Sequence, residues 1–172
     1  MADSIYDVRI VKDYPKKGID FLDITTLWKD PVAFKKHIDD LAAALEGIDY
    51  DCIVGLESRG FVIGSALAYL TGKSFIVIRK KGDLPTDKVT VEYKKEYGSD
   101  VFELDTATIG RGNKAVIVDD LLATGGTAVA AIQLIELAGA EVAATAFIFE
   151  LSDLEVKPEL KKYKVISLKK YP

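Results

Sequence analysis

The chain is short of the residues that most often carry metal or nucleophile chemistry. It has one cysteine, Cys52, and one histidine, His37, in 172 residues. A lone cysteine excludes an internal disulfide and suits a reducing compartment. Lying inside an apolar stretch, Cys52 is expected to be inert packing. The helical period puts His37 on the polar side of residues 34–45, so it is expected to be a solvated surface residue. That placement argues against a Ser-His-Asp triad and against a histidine metal site. Long hydrophobic runs are missing as well. Stretches such as Val142 to Phe149 stop far short of the roughly 20 residues a membrane-spanning helix needs. The first nine residues hold two aspartates and an arginine with no apolar segment behind them, so no secretion signal is expected. Basic excess is absent: 23 Lys and Arg against 27 Asp and Glu leave a net charge of −4, which argues against a nucleic-acid surface. What is present in quantity is apolar side chain, 49% of the residues, enough for a core without staples. At about 150 residues per domain the expectation is one soluble, cytoplasmic domain spanning residues 1–172, with no membrane or nucleic-acid partner.

The pattern along the chain is one of strands alternating with helices. The first 28 residues have no clear period and are punctuated by Tyr14-Pro15 and Gly18, as expected of an arm or lid. Asp30 can cap a helix that starts at Pro31, carries Phe34, Ile38, Leu41 and Leu45 on one face, and ends at Gly47. Short apolar strands are predicted at Cys52–Val54, Ser74–Ile78, Ala115–Val118, Val142–Phe149 and Val165–Leu168, and helices over 61–70 and from Thr127 to about Ala138. Residues 82–100 are polar, with little periodicity, and are predicted to form a long functional loop. Alternating β and α elements with Val- and Ile-rich strands imply an α/β fold, a mostly parallel central sheet flanked by helices on both faces. Ligands of such sheets bind at the carboxyl ends of the strands. That rule selects Gly55–Gly60, Arg79–Pro85 and Asp119–Thr127.

The last of these carries the most chemistry. An apolar strand runs into Asp119-Asp120-Leu121-Leu122-Ala123-Thr124-Gly125-Gly126-Thr127 and then a helix. Glycines let backbone amides approach an anion closely, and a helix start turns unpaired N–H groups toward it. Thr124 and Thr127 add hydroxyls. The segment therefore predicts a phosphate cradle, although it lacks the lysine of a nucleotide triphosphatase loop. Two carboxylates just upstream would repel a bare polyphosphate but suit the hydroxyls of a ribose, so a ribose 5-phosphate unit satisfies both halves. A plain turn with a helix cap is the alternative for Asp-Asp alone.

The segment Val118 to Thr127 resembles the PRPP-binding signature of the type I phosphoribosyltransferases, in the Leu-Leu-Ala-Thr form of their adenine-specific branch. Further resemblances follow in order along the chain: Tyr14-Pro15-Lys16-Lys17-Gly18-Ile19 with Phe21-Leu22-Asp23-Ile24-Thr25, then Gly55-Leu56-Glu57-Ser58-Arg59-Gly60-Phe61. Arg79 to Pro85 with Glu96-Tyr97-Gly98 resembles the mobile catalytic loop, and Glu150-Leu151 the segment after the fourth strand. The resemblance implies the type I phosphoribosyltransferase fold with a small hood, built from about residues 1–28 and 151–172, over the base. It implies transfer to adenine from PRPP, giving AMP and diphosphate, with Mg²⁺ held mainly by PRPP, in a homodimer. Carried over by position, Asp119 and Asp120 would hold the ribose hydroxyls, and Ala123, Thr124, Gly125, Gly126 and Thr127 the 5-phosphate. Arg59, with Glu57, Ser58 and Gly60, would hold the diphosphate, joined by Arg79 and Lys80. Phe21 would stack on the base, which Ile19 and Leu151 would line. Glu96 would be the acid–base group, with Arg59 and Lys80 supporting catalysis, and Tyr97 would belong to the closing lid.

Three positions depart from that pattern. Leu22 stands where the family has arginine or lysine and is expected to alter the edge of the base pocket. Asp83 replaces a lysine and is expected to lower affinity for PRPP. Val156-Lys157-Pro158 replaces a Gly-Arg pair. The same chemistry on hypoxanthine or guanine therefore stays open, as does a non-catalytic PRPP-sensing regulator. Gly110-x-Gly112-x-x-Ala115 precedes its strand and so fails as a dinucleotide fingerprint. Ser58 lacks the glycine of a nucleophile elbow. Lys161-Lys162 and Lys169-Lys170 read as surface charge.

Overall fold

The computed structural model describes residues 3–14, 16–18, 20–94 and 98–172. The chain forms two compact units, residues 1–40 and 41–172. In the first unit, a 3-10 turn at Asp3–Tyr6 precedes strands β1 (Arg9–Val11) and β2 (Phe21–Asp23), which pair antiparallel with Ile10 opposite Leu22. Successive strand residues face opposite sides. Leu22 is buried while Phe21 and Asp23 are half-exposed, so the leucine is a core residue of this small sheet and points away from the face that carries Phe21. Asp23 forms an ion pair with Arg9, and Phe21 meets Tyr14 edge-on at 5.4 Å. One helical turn, α1 (Thr25–Trp28), leads to α2 (Pro31–Ala44). The start of α2 is as expected: Asp30 Oδ1 accepts from the amides of Val32 and Ala33 at 2.8 and 3.3 Å.

His37 departs from the sequence expectation. It is fully buried, its Nε2 lies 2.7 Å from the Ile5 carbonyl, and its ring sits 4.7 Å from that of Tyr6. The N-terminal turn, which has no period to betray it, lies against the face of α2 that carries this histidine. Burial pulls the imidazole below its ordinary pKa.

The second unit is built on a seven-stranded sheet in the order β5-β6-β4-β3-β7-β8-β9. Strands β3 (Cys52–Leu56), β4 (Ser74–Lys80), β7 (Lys114–Leu122), β8 (Glu141–Leu151) and β9 (Val165–Tyr171) are parallel. Two helices pack on it, α3 (Arg59–Thr71) and α4 (Gly126–Leu137). Alternation along β3 shows that they lie on opposite faces. Cys52, Val54 and Leu56 join the apolar cluster of α4, whereas a Cβ on Gly55 would meet the Gly60 carbonyl of α3 at 2.8 Å. Cys52 is packing, as expected, and burial pushes its thiol up to about 11.

Residues 82–100 are not the continuous loop expected. Strands β5 (Lys88–Lys94) and β6 (Ser99–Asp105) pair antiparallel with each other, and β6 joins the edge of β4. The sequence signal was a period of two, Val89-Val91-Tyr93, masked by the charged residues that alternate with it. Tyr93 and Phe102 are buried, with ring centroids 4.5 Å apart.

Candidate functional site

Three chain segments converge at the carboxyl ends of β3, β4 and β7. At the end of β3 the chain turns through Glu57 and Ser58, joined by a cis peptide, into the first turn of α3. Glu57 is fixed from several sides: its amide donates to the Ile78 carbonyl at 3.1 Å, and its Oε2 accepts from the Lys80 amide at 2.6 Å and Arg79 Nε at 3.2 Å. Arg79 also reaches Asp83 at 3.4 Å. Asp83 thus has a partner on its own segment, where the sequence predicts only repulsion toward a diphosphate. Gly60 allows α3 to start this close to β7, because a Cβ there would stand 2.7 Å from the Val118 carbonyl.

β7 runs four residues beyond its predicted end, and Asp119, Leu121 and Leu122 pair with Phe147, Phe149 and Glu150 of β8. The acidic pair therefore lies inside a strand, with the two carboxyls in reach of each other and held by different partners. Asp120 is buried and accepts a hydrogen bond from Arg59 Nε, forming an ion pair with a half-exposed guanidinium. Asp119 faces a cavity, and its Oδ1 accepts from the Asp120 amide at 3.0 Å. Burial, reinforced by the neighbouring Asp120 charge and only partly offset by Arg59, holds the Asp119 carboxyl well above the usual carboxylate range.

Beyond β7, Gly125 adopts a left-handed φ of 81° and precedes the first residue of α4 with no side-chain cap on the helix. The first-turn amides of α4 therefore keep free donors, as an anion site requires. A Cβ on Gly125 would collide with Leu160 Cδ1.

Two adjoining cavities follow this line. One of about 220 Å³ is walled by Glu57, Ser58, Arg59, Lys80, Tyr93, Phe102, Asp119 and Thr127. A second of about 210 Å³ is walled by Tyr93, Lys94, Leu121 and Ala123 to Thr127. They share Tyr93 and Thr127. The structure thus gathers nearly all the residues the sequence assigns to PRPP. Gly60, Arg79 and Asp120 stand behind the walls and act on them through packing and ion pairs. Glu96, Tyr97 and Ile19 lie outside the described residues. Phe21 belongs to the first unit, and Leu151 ends β8. Tyr93 was missed as a wall residue because its strand was read as loop, and Phe102 because no element was predicted over its position. Burial, with the Asp100 and Asp119 charges, raises the pKa of Tyr93 so that its hydroxyl stays protonated.

Among the described residues no three metal-type side chains converge. Asp119 faces the cavity and forms no ion pair among the described residues, so it would be a single protein oxygen donor there. Such a donor set fits a hard divalent cation carried chiefly by oxygens of the substrate.

Comparison with known proteins agrees with this geometry. The phosphoribosyl transferase domain family matches residues 29–171. The adenine phosphoribosyltransferase of Chlorobium luteolum is 53% identical over 165 residues, 94% of this chain and 93% of that protein. That of Clostridium kluyveri is 47% identical, covering 96% of each. The crystal structure of adenine phosphoribosyltransferase from Thermoanaerobacter pseudethanolicus superposes with a TM-score of 0.92 at 45% identity, covering 95% of each chain. The Giardia lamblia enzyme complexed with 9-deazaadenine also gives 0.92, at 29% identity over 99% of this chain and 97% of that one. The ordered loops at the strand ends and the match over most of the length lead to one conclusion: the chain belongs to the phosphoribosyltransferase family and has its type I α/β fold.

Proposed function

We propose that the protein is an adenine phosphoribosyltransferase, joining adenine to C1 of PRPP with release of diphosphate to give AMP. The observation that carries this reading is the continuous line of walls from Glu57–Arg59 through Asp119 to Ala123–Thr127, along which the motif resemblance would seat diphosphate, ribose and 5-phosphate in turn. Adenine as the base is supported by the names of the relatives and by the 9-deazaadenine in the Giardia lamblia complex.

In this reading the cradle amides and the Thr124 and Thr127 hydroxyls bind the 5-phosphate. Asp119 accepts from the ribose hydroxyls, with Asp120 behind it. Breaking the C1–O bond builds positive charge on the ribose and negative charge on the departing diphosphate. Arg59, Lys80 and the amides of Ser58 to Gly60 face the latter, while Glu57 and Arg79 keep that loop in place. Mg²⁺ on the diphosphate would add charge neutralisation there. The new bond forms from a ring nitrogen of adenine, whose proton must leave, and Glu96 is proposed as the carboxylate that handles it. Tyr97 is proposed for the lid that keeps water from the ribosyl cation. The base-binding roles of Phe21, Ile19 and Leu151 rest on the motif resemblance. A homodimer in the cytoplasm completes the proposal; no described helix is long and apolar enough to cross a membrane.

The test is nucleotide formation by the purified protein with PRPP and Mg²⁺, offering adenine, hypoxanthine, guanine and xanthine in parallel. AMP from adenine alone is expected. Product from an oxopurine would move the base assignment, and PRPP binding without any product would favour the regulator.

A further inference from the structure

The phosphate cradle has a deficit of charge. A phosphate monoester carries about −1.5 to −2 at neutral pH, and the helix terminus below it offers roughly +0.5. No residue from Ala123 to Thr127 is cationic. Two segments outside the loop reach it: β5, whose Lys94 lines the same cavity with its carbonyl 3.6 Å from the position a Cβ on Gly126 would take, and a strap that contains a 3-10 turn, Pro158–Lys162. This strap is pinned to the cradle at two points and to the far end of α4 at a third. The Lys157 amide donates to the Thr124 carbonyl at 2.9 Å, Leu160 is buried against Gly125, and the Tyr163 hydroxyl donates to Glu136 of α4 at 2.5 Å. With its backbone so placed, Lys157 extends its stem over the loop. Its Cε lies 3.7 Å from the position a Cβ on Gly126 would take, and Thr124 Oγ1 lies 3.9 Å from the same point. The ammonium is one bond beyond that carbon. Lys157 is half-buried and forms no ion pair among the described residues.

We propose that Lys157 is a phosphate-binding residue, supplying from the strap a cation that the loop Ala123–Thr127 itself lacks for the 5-phosphate of the substrate, in addition to Lys94 on the cavity wall. This rests on the reading that residues 123–127 take a phosphate. The half-buried stem matters as much as the charge. A lysine whose methylenes pack along a surface holds its ammonium in a restricted volume, so less side-chain entropy is lost when the anion binds. The hydrogen bond to Thr124 also ties Lys157 to a residue of the cradle itself, so strap and loop move together.

The experiment compares inhibition by AMP and by adenosine, which differ only in the 5-phosphate, in the wild type, Lys157→Gln and Lys157→Arg. In the wild type AMP is expected to inhibit far more strongly. Lys157→Gln is expected to weaken AMP by about ten- to a hundredfold and raise the KM for PRPP similarly, leaving adenosine and the KM for adenine unchanged. Lys157→Arg should recover most of the loss. If Lys157→Gln keeps the wild-type ratio of AMP to adenosine, or weakens both alike, the proposal is overturned while the cradle stands. If AMP and adenosine inhibit the wild type equally, the cradle reading fails and the proposal with it.

Discussion

The junction between Gly125 and Leu160 offers a sharp test of how the phosphate cradle keeps its shape. Replacing Gly125 by alanine has two separable costs. The left-handed φ of 81° disfavours any Cβ by about 1–2 kcal/mol. The added methyl also lands on Leu160 Cδ1, and relieving such overpacking costs about 1–3 kcal/mol. Gly125→Ala should therefore destabilise the protein by about 2–5 kcal/mol. Leu160 is 1% exposed, so Leu160→Ala alone should cost about 2–5 kcal/mol through the cavity it leaves. The double variant is the informative one. The new methyl would then fill part of that cavity, so only the backbone cost should remain additional, and the two changes should fall short of additivity by about 1–3 kcal/mol. Urea unfolding of the four proteins measures this, and the KM for PRPP measures whether the cradle has shifted. Gly125→Ala is expected to raise that KM, and the double variant to recover part of the rise. Strictly additive stabilities would show that the methyl does not meet Leu160, and would refute the argument that the strap buttresses the loop.

Three further outcomes follow from the same geometry. Asp120→Asn removes the charge that orients Arg59 and should raise the KM for PRPP about ten- to a hundredfold; an unchanged KM would remove Asp120 from the binding apparatus. Glu96→Ala should lower kcat by about 10²- to 10⁴-fold with little effect on the KM for PRPP, and a wild-type kcat would exclude it from proton transfer. His37 is buried with a lowered pKa, so the unfolded chain binds a proton that the folded one resists. Stability should therefore fall as pH drops below about 6.5, and His37→Gln should flatten that slope. Trp28, the sole tryptophan, reports on the unit that holds His37, and parallel slopes in the two proteins would contradict this.

How much of this was legible in the sequence depended on whether a residue's partner was local. The parallel strands are buried on both faces and read as Val- and Ile-rich runs, and the Asp30 cap sits beside its own helix, so both were visible. The cradle was visible because glycines, hydroxyls and a helix start are contiguous. Hairpin β5/β6 was not, since one face is solvated and its charges hide the alternation. His37 misled because its cover comes from Ile5 and Tyr6, more than thirty residues away, in a segment without periodicity. Leu160 carried no signal, and Lys157 stood out only as part of a departure from the family pattern. Their meaning depends on a strap returning to the loop from the far side of β8, a fact of topology.

The acidic pair suits ribose hydroxyls, but two adjacent formal charges would still oppose the diphosphate that PRPP also carries. The strand continuation resolves this conflict. Because β7 persists through Asp119 and Asp120, each carboxyl is held by fixed partners, Asp120 by Arg59 and Asp119 by the Asp120 amide. Asp120 is spent on Arg59, so that pair is close to neutral and the half-exposed guanidinium is kept at the cavity wall. Asp119 faces the cavity but resists ionisation, first through burial and then through the charge of Asp120. The negative field met by an arriving diphosphate is thus weaker than two formal charges imply, while Lys80 and Arg59 remain on the same wall. A ribose hydroxyl donating to Asp119 favours its ionised form. The charge that suits an electron-poor ribose is therefore strengthened by the ligand that needs it.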